Sequence, residues 1–254
     1  MLKYNTIKYF FWSILVSTVL YSLFVQSISL YFFIPLVCVW LIYILYGSFR
    51  MRAEIFLSST CSVPKAGATN IILTFDDGPD PKYTPQILDI LKQAQVTAVF
   101  FCIGKNIVAY PDLVKRIAAE GHIVANHSYN HSTNIGSYST SKVMTEIEQT
   151  EEVITGCIGS SLKLYRPPFG VTNPNIGRAV RALNMKVIGW NVRSFDTVSK
   201  SKEAVLNRVT SGLKNGDIVL FHDTKALAAD ILADFLLFAR EKGFTIDCSP
   251  IREL

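Results

Sequence analysis

The first 52 residues contain no aspartate or glutamate, and Tyr9 to Phe49 contains no charged residue or histidine at all. Cysteine and histidine are scarce too, five and four in 254 residues. So few cysteines exclude a disulfide-stapled mini-protein, and a 50% hydrophobic composition excludes intrinsic disorder. No internal repeat, low-complexity tract or Gly-rich phosphate loop is present, which argues against phosphoryl transfer. The acid-free segment also explains the net charge of +5. Lys3, Lys8, Arg50 and Arg52 contribute +4, and the remaining 21 basic and 20 acidic side chains nearly cancel. The basic pI therefore belongs to the N-terminus and implies no nucleic-acid partner.

The uncharged run is 41 residues long. As a helix it would reach roughly 60 Å, about twice a hydrocarbon core of ~30 Å. Two spans near 9–25 and 30–48, turning at Gln26-Ser27-Ile28-Ser29, account for that length, with Tyr9, Trp12, Tyr31, Trp40 and Tyr46 as interfacial anchors. A cleaved signal peptide would be shorter, with a small-residue cleavage site. A buried soluble hairpin would show a polar face at helical period, and none appears. Residues 1–52 are thus expected to form a transmembrane hairpin, making a multi-pass membrane protein. The basic flanks weakly favour a cytoplasmic C-terminal domain, and the absence of a close cysteine-pairing pattern agrees.

Residues 53–69, with Ser58-Ser59-Thr60, Pro64 and Gly67, read as a linker. From residue 70 to 254, strand-like and helix-like segments alternate: strands at Ile71–Phe75, Thr97–Ile103, Ile123–Ala125, Leu162–Tyr165, Lys186–Val192, Asp217–Phe221 and Gly243–Ile246, with amphipathic helices between them. Six or seven β-then-α units imply an α/β domain with a parallel sheet and helices outside, either an open doubly wound sheet or a barrel of fewer than eight units. In both, ligands bind at the carboxyl ends of strands.

Chemistry-bearing residues occur there. Asp76-Asp77 ends the first strand in Thr-Phe-Asp-Asp-Gly-Pro; adjacent carboxylates are costly without a cation beside them, although Asp-Gly-Pro is also ordinary turn chemistry. His127 and His131 follow the third strand at a spacing that brings two imidazoles to one face of a helical turn. A carboxylate with two imidazoles makes a three-ligand site with open positions, the catalytic pattern. Arg166-Pro167-Pro168-Phe169-Gly170 follows the fourth strand, Asp196 the fifth and His222 the sixth. Each alone has a bland reading as turn, surface or structural residue; together they would converge on one rim. His122, before the third strand, reads as structural, and the sequons at Asn126 and Asn130 are discounted because a glycan there would block the site.

In this order the motifs resemble those of the polysaccharide deacetylase family, metal-dependent esterases similar to chitooligosaccharide deacetylases. The likeness runs from about Asn70 to the C-terminus. It implies a distorted (β/α)7-type barrel and hydrolytic removal of N-acetyl groups from N-acetylhexosamine glycans. Asp77, His127 and His131 would hold one divalent metal, zinc first, with cobalt, manganese or nickel as alternatives. Asp76 would be the general base, Arg166 its orienting partner, His222 the general acid and Asp196 the partner of His222. The backbone N–H of Phe169 would face the oxyanion. Relatives often carry an acidic residue and a tryptophan where this chain has Arg193 and Thr197, which puts specificity in question. The implied partner is an N-acetylated oligo- or polysaccharide, with the membrane engaged through residues 9–48. A catalytically weak carbohydrate-binding protein and a deacetylase of a lipid-linked glycan are the competing readings. The sugar and the oligomeric state are left open.

Overall fold

A computed structural model describes residues 2–64 and 69–254. Two apolar helices come first, α1 (Leu2–Phe24) and α2 (Phe33–Phe49). The α/β domain follows as β1 (Asn70–Asp76), α3 (Tyr83–Ala94), β2 (Ala98–Cys102), α4 (Gly104–Ala109), α5 (Pro111–Ala119), β3 (Ile123–Asn126) and α6 (Thr140–Ile158). It continues with β4 (Leu164–Tyr165), α7 (Pro174–Ala182), β5 (Lys186–Val187), β6 (Val192–Arg193), α8 (Lys202–Thr210), β7 (Ile218–His222), α9 (Ala226–Glu241), β8 (Thr245–Ile246) and α10 (Ser249–Arg252).

All strand pairs are parallel, in the order β5-β4-β3-β2-β1-β7-β6, with β8 on the start of β1. This is the curled, barrel-like member of the two architectures anticipated. The segment read as one strand, Lys186–Val192, splits into β5 and β6 at opposite ends of the sheet. A helix as short as α4 carries too few turns to show periodicity, and the sequence reading has no counterpart for it.

Period-2 alternation separates two cores. In β1, Ile71, Leu73 and Phe75 face the helices, with Phe75 stacked on Phe100 at 5.0 Å and packed with Leu88 and Phe235. Ile72 belongs to an inner cluster with Val99, Phe101, Ile123 and Ile218. Each such side chain, fully buried, contributes roughly 1.5–3 kcal/mol of hydrophobic stabilisation. Register then carries chemistry to the carboxyl rim: Asp76 pairs with His222 across β1 and β7, and Asn126 pairs with Tyr165, so His127 and Arg166 emerge side by side.

The stretch 53–69 is not a loose linker where it is described; residues 65–68 lie outside the described residues. Ile55, Phe56 and Leu57 are buried. Thr60 bridges to Ile188 beyond β5, and Ser62 to Asp217 before β7, so this strip links the β5 edge of the sheet to the start of β7. The physical reason is unpaired edge backbone: the Thr60 N–H donates to Val187 O and the Gly189 N–H to Thr60 O.

Within α1, Tyr4–Phe24 is long and apolar enough to cross a membrane; α2, at 17 residues, is shorter. Phe11 of α1 stacks on Trp40 of α2 at 4.6 Å, while Phe10, Leu23, Val39 and Ile42 stay exposed. The end of α2 is joined to the α/β domain. Thr172 donates from its N–H to Ser48 O and from Oγ1 to Gly47 O, and Tyr4 meets Phe56 edge-on. A Cβ on Gly177 would lie 2.2 Å from Phe56 O, so only glycine permits this approach.

Candidate active site

Asp76 continues the β1 alternation and points inward, where it is buried. Asp77 has φ of 77°, which swings the second carboxylate off the strand path. That turn lets adjacent acids take separate partners. Asp76 Oδ1 accepts from Arg166 Nη1 at 2.6 Å. Asp77 Oδ1 lies 3.5 Å from His127 Nε2 and 3.2 Å from His131 Nε2.

The two histidines meet, with ring centres 4.8 Å apart, but not on the helical turn their spacing suggested. They sit on a loop in which Ser128 and His131 adopt positive φ. Side chains build that loop: Asn126 accepts from the Ser128 N–H, Ser128 Oγ accepts from the His131 N–H, and buried Glu146 accepts from both Asn130 nitrogens. Asn and Ser compete with helix formation through such local bonds.

The donor set fits a divalent cation. Asp77, His127 and His131 each offer one ligand atom, all within 4.8 Å of one another. His127 Nδ1 lies 2.7 Å from the Arg166 carbonyl, an acceptor only, so a proton sits on Nδ1 and Nε2 is the atom that faces Asp77. Burial and the neighbouring His127 push the His131 ring down to about 4, leaving it neutral near pH 7. Burial opposes ionisation of Asp77, yet His127, His131 and His222 hold its carboxyl below the usual range.

Arg166 is wholly buried and the most heavily bonded side chain of the rim. Besides Asp76 it donates to Thr74 Oγ1 and to the carbonyls of Ile188 and Gly189, and it stacks on Phe101 with its guanidinium carbon 4.0 Å from the ring centre. The loop beyond it carries Phe169 at φ 58°, half-exposed against His131. Gly170 and Val171 donate back to Pro167 O and Pro168 O, whereas among the described residues the Phe169 N–H has no acceptor. Gly170 is needed here: its φ is +69°, and a Cβ would lie 2.5 Å from Trp190.

On the opposite side, Asp196 accepts three donors: the His222 N–H at 2.8 Å, His222 Nδ1 at 2.7 Å and Ser194 Oγ at 2.8 Å. Burial disfavours the imidazolium, but the hydrogen bond and charge of Asp196, with Asp76 and Asp77 beyond, raise the His222 pKa above its ordinary value. A cavity of about 270 Å³ is lined by Asp76, Asp77, both loop histidines and His222. Phe169, Arg193 and Thr197 line it as well. The structure therefore brings together every site residue read from sequence.

Residues 64–188 match the family described as polysaccharide deacetylase. One Bacillus cereus peptidoglycan-N-acetylglucosamine deacetylase is 38% identical over 154 residues, 61% of this chain and 56% of its own length. A second from the same organism is 37% identical over 179 residues, covering 68% of this chain and 83% of that one. The chain belongs to the polysaccharide deacetylase family. The peptidoglycan deacetylase PdaC from Bacillus subtilis superposes with a TM-score of 0.69 at 30% identity, covering 74% of this chain and 92% of that structure. Among the first curated relatives matched, the aligned stretch spans only 56% and 40% of the relative's length.

Three residues in or beside this cavity were given no role by the sequence reading. Trp190 walls the cavity and Lys225 lines it; the rule that functional residues follow strands would have found Lys225, three residues after β7. Asp223 is fully buried beside His222, with Oδ2 accepting from Thr84 Oγ1 at 2.6 Å. Burial pushes its carboxyl up to about 7, despite the Thr84 bond, with Asp77 and Asp76 adding to the rise. His122, as expected, lies away from the cavity, its Nδ1 accepting from the Ala98 N–H.

Proposed function

We propose that this chain removes N-acetyl groups from N-acetylhexosamine-containing glycans by hydrolysis, with a divalent metal, zinc first among candidates, held by Asp77, His127 and His131. The observation that carries this reading is the pair of opposed couples, Asp76 with Arg166 and Asp196 with His222, on one cavity around those three donors. When bound, such a cation supplies Lewis acidity for acidifying a water and polarising the acetamide carbonyl. Asp76 is oriented by Arg166 to take a proton from the attacking water. The Phe169 N–H donates to the carbonyl oxygen as it gains charge. His222, kept protonated by Asp196, donates a proton to the amide nitrogen as the C–N bond breaks, so the products are acetate and a free amine.

The membrane part of the proposal is that α1 and α2 form two spans with both flanks on one side; the four flanking basic residues weakly favour the cytoplasm for that side and for the catalytic domain. Thiol labelling of half-exposed Cys157 in intact and permeabilised cells tests the orientation.

The activity test is acetate release from N-acetylglucosamine oligomers by the full chain in detergent, after chelation and after restoring zinc, cobalt, manganese or nickel. Metal-dependent release that vanishes in Asp76→Asn is expected. Undiminished release in that variant would remove Asp76 from its role, and oligomer binding without release would favour the carbohydrate-binding reading.

A further inference from the structure

Arg193 lines two cavities. One is the active-site cavity; the other, of about 480 Å³, is lined also by Arg52, Arg208, Lys214 and Asp217. Four cations thus face one carboxylate in a space large enough for a small ligand. That carboxylate is already engaged: Asp217 is buried and accepts from Asn191 Nδ2 and from the Lys214 N–H. Among the described residues none of the four cations forms an ion pair with a carboxylate, so the charge of the cluster is not neutralised locally.

Two of the four are held in place. The guanidinium carbons of Arg193 and Arg208 lie 4.7 and 4.9 Å from the centre of the Phe195 ring, and Arg193 also faces Trp190 at 5.7 Å. Stacking fixes the plane of a guanidinium and leaves its N–H edge free for a bidentate oxyanion partner. Four cations against one carboxylate leave an excess of like charge, and a bound phosphate would relieve it. The third, Arg52, sits three residues beyond the apolar helix α2. The cavity therefore shares Arg193 with the active-site cavity and has Arg52, just past the end of α2, in its wall.

We infer that this basic cavity binds the phosphate or diphosphate of a phosphate-linked N-acetylhexosamine, presenting the N-acetyl group to the neighbouring site. The inference rests on the deacetylase reading for its substrate and on the cation cluster for its anion. A lipid and a soluble nucleotide can both carry such a group; the position of Arg52 favours the lipid-borne form.

Two measurements test it on the full chain in detergent. Inorganic pyrophosphate is titrated calorimetrically into metal-depleted protein, wild type and the Arg193→Gln and Arg208→Gln variants. Saturable binding that weakens about tenfold or more in each variant, and weakens with added salt, is expected. No binding, or equal binding by all three proteins, overturns the inference whatever the enzymatic result. Acetate release is then compared for geranyl-diphosphate-linked N-acetylglucosamine in mixed micelles, a nucleoside-diphosphate-linked N-acetylglucosamine and the uncharged trimer. The ratio of kcat/KM for the diphosphate substrates to that for the trimer should exceed one and fall about tenfold in the Arg208→Gln variant. A ratio that stays put overturns the substrate assignment. Preference for the geranyl carrier that Arg52→Gln abolishes assigns the lipid form; preference for the nucleotide carrier assigns the soluble one, and equal use of both overturns the lipid assignment. Pyrophosphate binding without acetate release from any substrate would refute the deacetylase reading while upholding the anion site.

Discussion

Replacing Asp196 with asparagine changes one oxygen into an amino group, and the geometry shows why that should matter. All three partners of Asp196 are donors: the His222 N–H, His222 Nδ1 and Ser194 Oγ. An amide cannot accept at both ends, so its NH2 must face either the backbone N–H or the ring nitrogen. In the first case a buried donor is orphaned; in the second Nδ1 must lose its proton and the ring becomes neutral. The lost interaction is a charge-assisted hydrogen bond, about 1.5–3 kcal/mol. Expressed wholly in the transition state, that is roughly a ten- to 150-fold fall in kcat. Because Asp196 raises the His222 pKa, its removal lowers it, and the alkaline limb of the pH–rate profile should move to lower pH. The rate deficit should therefore grow as pH rises. The folding contribution follows the same sign. A raised histidine pKa gives stability that is complete below the unfolded value near 6.5 and is lost as pH rises through the folded value. The Asn variant should flatten that dependence. Acetate release across pH, with thermal unfolding of both proteins, is the assay. A variant within twofold of wild type, with its alkaline limb in place, would refute the acid role of His222 as oriented by Asp196.

Other outcomes follow from the same contacts. Arg166→Met removes a buried cation and strands Asp76, and should cost about 3–5 kcal/mol in urea unfolding as well as abolishing turnover. One divalent ion per chain should be found by metal analysis, and metal at a hundred times its Kd should stabilise the fold by about 2.7 kcal/mol; His127→Ala should lose both the ion and the stabilisation. Gly170→Ala meets a left-handed backbone, a penalty of roughly 1–2 kcal/mol. It also puts a methyl against Trp190, so both melting temperature and kcat should fall.

The linear sequence determined the membrane-compatible segment, the alternation of strands and helices and the rim residues, because each of those is encoded locally. A 41-residue run without charge needs no tertiary context to be seen, and residues that end strands of a parallel sheet must share one edge. The relation of His127 to His131 was legible as a pairing but not as a geometry. Its loop depends on Glu146, 15 residues beyond His131 and on another element.

Tertiary structure decided the rest. Residues 53–69 read as a linker, yet the backbone just beyond β5 and just before β7 supplies partners for Thr60 and Ser62, and a long-range pairing leaves no local signature. The sequence marked Arg193 as a departure from its relatives. Only folding brought it beside Arg52, Arg208 and Lys214, residues between 15 and 141 positions away in the chain, to make a basic cavity at the site's edge. Charge is a sum over composition in the sequence, where the domain nearly balances; in the fold it is a field, set by which side chains share a surface.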